Sequence, residues 1–160
     1  MEIRYELNLL LSAIGEKYSI RDLVLNEKGN VFLSVDGKVD FGFSTFDEYG
    51  YVRMYGQISD LGVNIKEDKM TVICSLLSEN ITGFHAPHLK WSYVSDEDIV
   101  YLVRDLGEAE LNIDTFESLI NDFLLDCESA KSRLNTLISD SNAKQGEIRE
   151  TFMDSSILWV

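Results

Sequence analysis

The hydrophobic period of this chain changes along its length, and that change constrains the fold more than any other feature. Ile3, Leu7, Leu10, Leu11 and Ile14 recur at helical spacing, with Gly15 standing where a C-terminal cap would end the helix. From residue 31 the period becomes two. Val31, Leu33 and Val35 alternate with Phe32, Ser34 and Asp36, and Val39, Phe41 and Phe43 resume the pattern beyond Asp36-Gly37, a hairpin dipeptide. Tyr51 to Ile58 reads as a third strand, with Val52, Met54 and Ile58 inward and Tyr51, Arg53 and Tyr55 outward. The result is an antiparallel meander with one buried face. Leu23-Val24-Leu25 is a candidate short strand ahead of the turn residues Asn26 to Asn30.

Helical spacing returns from about Glu67 to Ile81, where Met70, Ile73 and Leu77, with Leu76 as a further candidate, form the face to be buried. Two strands follow, near Phe84 to Tyr93 and Ile99 to Leu106, joined by the acidic turn Ser95-Asp96-Glu97-Asp98. Pro87 has no N–H to give a ladder, so its strand is an edge, is bulged or starts late. A third helix carries the stripe Ile113, Phe116, Ile120, Phe123, Cys127, Leu134 and Leu137, with Asp114 and Glu117 spaced as a capping pair. The fold class is α+β: helix, three-strand meander, helix, two strands, long C-terminal helix. Residues 1–138 form one domain, and 139–160 form a tail, partly helical or packed on the domain through Ile157, Leu158, Trp159 and Val160.

Composition narrows the function. The 160 residues hold 28 acids against 14 bases, a net charge of −14. Residues 1–106 carry 17 acids and 10 bases and residues 107–160 carry 11 and 4, so each part is −7 and the shorter one is the more densely charged. Such a chain has too few cations to neutralise nucleic-acid phosphates or to hold an anionic membrane. Apolar residues at 45% rule against global disorder. The longest apolar run, Ile99 to Val103, is far too short to span a bilayer, and no secretory signal is expected.

Chemistry-bearing motifs are missing. His85 and His88 sit three apart on an extended segment, which turns their rings to opposite faces, and no third ligand stands nearby. No G-x-S-x-G, G-x-G-x-x-G or P-loop occurs, and Asp47-Glu48 and Asp96-Glu97 read as solvated turns. Cys74 and Cys127 are isolated thiols of a reducing cytosol. Neither an enzyme, a cofactor nor a metal is expected.

In this element order the chain resembles the class I chaperones of bacterial type III secretion, the Tir-chaperone or CesT-like family. The likeness is carried by Leu9-Leu10 to Ile14-Gly15, by the hairpin pieces Leu33-Ser34-Val35-Asp36 and Val39-Asp40-Phe41, and by Leu76-Leu77 with Asn80. Val100-Tyr101-Leu102 followed by Leu111-Asn112-Ile113-Asp114 completes it. It covers about residues 1–138. Where the family often has a proline after the third strand, this chain reads Ile58-Ser59-Asp60-Leu61-Gly62-Val63, and its tail is longer than the pattern requires. The resemblance implies a cytoplasmic bacterial homodimer that wraps the N-terminal segment of a secreted effector around itself in extended form and delivers it to the secretion ATPase.

The residues suggest where. Tyr5 and Leu9 fall on the side of the first helix opposite its buried stripe, and Phe32, Tyr51 and Tyr55 alternate with inward strand residues, so these five are the candidate partner-binding set. The second helix has more apolar surface than one sheet face can cover, which makes Met70, Ile73 and Leu77, with Trp91 nearby, the candidate dimer interface. The alternative reading is an acidic inhibitor or immunity-type protein that covers a basic enzyme.

Overall fold

The alternating segments pair into one five-stranded antiparallel sheet, and the helical segments cover one of its faces. A computed structural model describes residues 3–35, 39–64, 69–82 and 86–154. Helix α1 (Ile3–Tyr18) leads into strands β1 (Asn30–Val35), β2 (Val39–Phe46) and β3 (Tyr51–Asp60). A one-turn helix α2 (Leu61–Asn64) and helix α3 (Lys69–Thr82) follow, then β4 (Leu89–Val94), β5 (Ile99–Gly107) and the long helix α4 (Phe116–Asp154). The strand order is β1-β2-β3-β5-β4, so the last two strands join the meander through a β3–β5 pairing and leave β1 and β4 as edges. The inner face presents Phe41, Phe43, Val52, Met54, Leu102 and Leu106 to a core completed by Leu7 and Leu11 of α1, Val72 and Leu76 of α3, and Phe116 and Phe123 of α4.

The α+β architecture read from the periodicity is the one observed. The Asp36-Gly37 turn and the first residues of the second helix, Glu67 and Asp68, lie outside the described residues, as do His85 and Ile157 to Val160. Pro87 falls just before β4, which starts at Leu89 on the sheet edge, away from any ladder that needs its missing N–H.

Four local expectations are corrected. Gly15 does not end α1; it is buried inside the helix, where a Cβ would lie 2.9 Å from the Ile20 carbonyl oxygen and 3.1 Å from the Leu23 Cβ. The helix stops one turn later at Ser19, whose φ is 58°, with Ile20 N–H donating to the Gly15 carbonyl and Ser19 N–H to that of Glu16. This is a Schellman closure with serine in the left-handed position. Leu23-Val24-Leu25 is a loop, not a strand: Leu23 and Leu25 plug the core while the Leu25 N–H donates to the Asn8 side chain at 2.8 Å instead of to a ladder. Helix α4 begins at Phe116, leaving Ile113 exposed ahead of it, and Glu117 is no capping partner because its carboxylate binds Lys17 and Tyr18 of α1.

The fourth correction is the face of α3. Val72, Ile73, Leu76 and Glu79 are buried, while Met70 and Leu77 are exposed. Glu79 explains the rotation. Its carboxylate, 8% exposed, accepts from the Trp91 indole N–H at 3.0 Å and pairs with the Arg133 guanidinium at 2.7 Å. A charge goes inward only where partners await it, and these partners on β4 and α4 set which side of α3 faces the core. Next to it, Asn80 donates to the Trp91 carbonyl and accepts its N–H, acting as a one-residue strand against the edge strand β4. Backbone helix in α4 continues through residue 139 to Asp154, a rod of 39 residues and so about 58 Å.

Candidate partner-binding surfaces

Among the described residues, three surfaces of the protein carry apolar side chains that the core does not use. The first lies on α1. Tyr5 and Leu9 are both more than half exposed and, with Leu10, Leu111 and Ile113, line a groove of about 380 Å³ between the helix and the segment leading into α4. The outward placement of Tyr5 and Leu9 follows from the inward stripe of Ile3, Leu7, Leu10 and Leu11. Periodicity does not single out Leu111 and Ile113 for this groove; only the missing turn of helix before Phe116 brings them to it.

The second is the outer face of the sheet. Phe32, 68% exposed, projects from β1, and Tyr51 and Tyr55 stand half-buried on β3. Tyr55 reaches across β2 to meet Phe32 edge to face because the residue between them is Gly42, where a Cβ would come within 2.8 Å of the Tyr55 hydroxyl. Burial pushes the Tyr55 phenol above its ordinary value, with its bond to Ser44 opposing the shift. Tyr51 stacks on Phe46 and does not meet the Phe32–Tyr55 pair. Alongside the β1 edge a further groove of about 370 Å³ is walled by Leu11, Ile14, Tyr18, Phe41 and, from α4, Ile120 and Leu124.

On α3, the third surface, the exposed apolar residues are Met70, Leu77 and Ile81, the last 89% exposed, with Cys74 exposed between them. Their spacing of four, three and four residues makes one continuous outward stripe. The structure separates the expected interface set: Met70 and Leu77 lie on this stripe, whereas Ile73 and Trp91 are buried in the protein's own core. A side chain already covered by its own chain has no area left to offer a second copy. Ile81, outside that expected set, belongs to the stripe.

Among the described residues no group of three His, Cys, Asp or Glu is placed to hold a metal ion. Burial pushes the Cys127 thiol up to about 12, so it stays protonated and inert. No helix among the described residues is long and apolar enough to cross a membrane.

No protein-family model matches the sequence, and no curated protein matches it. Solved structures share its fold. A chain of the ExsC–ExsE complex aligns with a TM-score of 0.70 at 19% identity, over 84% of this chain and 97% of its own length. A chain of the HopA1–SchA chaperone–effector complex aligns at 0.62 with 9% identity, over 81% and 95%. The Yersinia pestis type III secretion chaperone SycH, solved with a stable fragment of YscM2, aligns at 0.53 with 11% identity, over 76% and 97%. This chain has the fold of the class I type III secretion chaperones.

Proposed function

We propose that this protein is a type III secretion chaperone. It binds the N-terminal segment of a secreted effector in extended form, keeps that segment unfolded and soluble, and hands it to the secretion ATPase. It does so in the bacterial cytoplasm, without catalysis, cofactor or metal. The observation that carries this reading is the edge strand β1 with an apolar groove beside it, on a fold shared with chaperone–effector complexes. An unpaired edge takes an extended segment by backbone hydrogen bonds, and adjacent grooves take alternate side chains. Tyr5 and Leu9 on one side and Phe32 and Tyr55 on the other extend that footing over two faces, and Tyr51 continues it along β3.

The working unit is a homodimer joined through Met70, Leu77 and Ile81 of α3. Light scattering at micromolar concentration is expected to return twice 18.2 kDa, and a mass of 18.2 kDa would remove the dimer. For the function itself, co-expression with the products of neighbouring reading frames should yield a stable complex with one secreted protein. Leu9→Glu is expected to shift stability by no more than about 0.5 kcal/mol, as at any surface site. The same variant should weaken the complex by about 1–3 kcal/mol if Leu9 is an anchor. Unchanged affinity would make it an ordinary surface leucine. The complex should also persist as salt is raised, whereas an acidic inhibitor on a basic enzyme would dissociate.

A further inference from the structure

The open face of the sheet holds two clusters of aromatic rings, and one of them contains a cation. Arg53 on β3 lies over Phe46 and Tyr51, its guanidinium 5.3 and 5.5 Å from the ring centroids. Asp105 on β5 accepts from its Nε and its terminal nitrogen at 2.6 and 2.9 Å. Two rings, a carboxylate and a guanidinium thus satisfy one another.

Farther along the same face, Phe32, Tyr55 and Tyr101 meet edge to face, with centroids 5.3 and 6.1 Å apart and planes crossing at 76° and 80°. Rings at such angles form walls rather than a stack. They border a recess of about 300 Å³ that Asp40 and Gln57 also line. Asp40 is exposed, and none of the ion pairs among the described residues includes it. The Glu97 carboxylate stands at the far side, accepting the Tyr101 hydroxyl at 3.5 Å. This second cluster repeats the groups of the first without the guanidinium.

We infer that the recess between Phe32, Tyr55 and Tyr101 accepts an arginine side chain of an extended, basic partner segment, with the rings facing the cation and Asp40 pairing with it. A net charge of −14 draws such a segment in, and a planar guanidinium suits upright aromatic walls and a carboxylate at the rim. A purely apolar footing would gain nothing from that carboxylate. Gly42 lets the Tyr55 ring lie against the sheet beside Phe32, where a Cβ would come within 2.8 Å of its hydroxyl. The origin of the segment rests on the chaperone reading; the chemistry of the recess does not.

The test uses the full-length protein and two tripeptides, acetyl-Ser-Arg-Ser-amide and the same peptide with citrulline, which keeps the shape of arginine and removes its charge. Nuclear magnetic resonance should show saturable shifts at Phe32, Tyr55, Tyr101 and Asp40 with the arginine peptide in the millimolar range. Citrulline should bind about fivefold more weakly, or worse. Asp40→Asn should lower affinity roughly three- to tenfold with an unchanged melting temperature, and Tyr101→Leu should do the same. Equal response to both peptides, or wild-type binding by Asp40→Asn, overturns the inference. If the peptide test fails while a secreted partner still co-purifies, the recess is wrong and the chaperone reading stands. Arginine-selective binding with no secreted partner would instead keep the recess and remove the chaperone.

Discussion

Glu79 shows why single positions are the hardest part of this chain to read. A glutamate in the middle of α3 reads as a solvent position, yet it is buried against Trp91 and Arg133, residues 12 and 54 positions away in sequence. No local pattern announces partners at such distances, so the helical character of α3 and the burial of Ile73 and Leu76 are legible in the sequence, whereas the turning of its face toward Val72 and Glu79 is not. Glu79→Ala is expected to destabilise the fold by about 1–3 kcal/mol, since it removes the buried carboxylate that receives the indole N–H and the Arg133 guanidinium. Chemical denaturation reads this directly, and a loss under about 0.5 kcal/mol would mean that the pair only decorates the surface. Gly56 belongs to the same class. It sits where α4 crosses β3, and a Cβ there would overlap the Cys127 Sγ and press on Phe123. Gly56→Ala should therefore cost about 1–3 kcal/mol through overpacking, although alanine normally favours strands over glycine. The outward positions of Tyr5, Leu9 and Phe32, in contrast, follow from counting alone, because each lies opposite a clear inward stripe.

At the scale of elements, period and punctuation locate every strand of the sheet and the three long helices, but not the one-turn helix α2 or all of the ends. Leu23 and Leu25 alternate as in a strand because both enter the core, and the alternation says nothing about whether a neighbouring chain is present to pair with. The start of α4 is one turn later than its apolar stripe suggests, because Ile113 continues that stripe while pointing to solvent. On α3 the apolar residues run nearly all round, so the helix has an inner face for its own core and an outer one left over. Two thiols report on those two environments. Cys127, buried and with its thiol pushed up to about 12, should resist a disulfide reagent at pH 8 until the protein unfolds. Cys74 lies in the middle of the outer stripe. If α3 joins two copies, Cys74 should react slowly in the native protein and quickly in a Leu77→Asp, Ile81→Asp double variant. Fast labelling in both proteins would show that the stripe is not covered.

For the whole molecule, charge and chain order matter more than any contact. Several carboxylates are held below their ordinary values: Asp98 by Lys69 and Tyr93, Glu117 by Lys17 and Tyr18, and Glu110 by Arg104 and the Gly107 N–H, against a burial that pushes it up. A depressed carboxylate stabilises the fold above its unfolded pKa, about 3.9 for aspartate and about 4.3 for glutamate, and that contribution is lost as pH falls through the folded value. Self-repulsion at a net charge of −14 acts in the other direction and fades on approach to the isoelectric point of about 4.4. Melting temperature at low salt should therefore rise from pH 7 toward about pH 5 and fall below about pH 4, with added salt raising it most at pH 7. A steady rise down to pH 3 would contradict the role given to these ion pairs. The order of synthesis has its own consequence. Helix α1 emerges first, but Lys17 and Tyr18 must wait for Glu117, about 100 residues later, and β3 finds its partner β5 only after α3 and β4 have been made. On the ribosome the α1–α4 contact therefore waits for several seconds at ordinary elongation rates. The first element of the chain to be made is thus among the last to receive its final contacts.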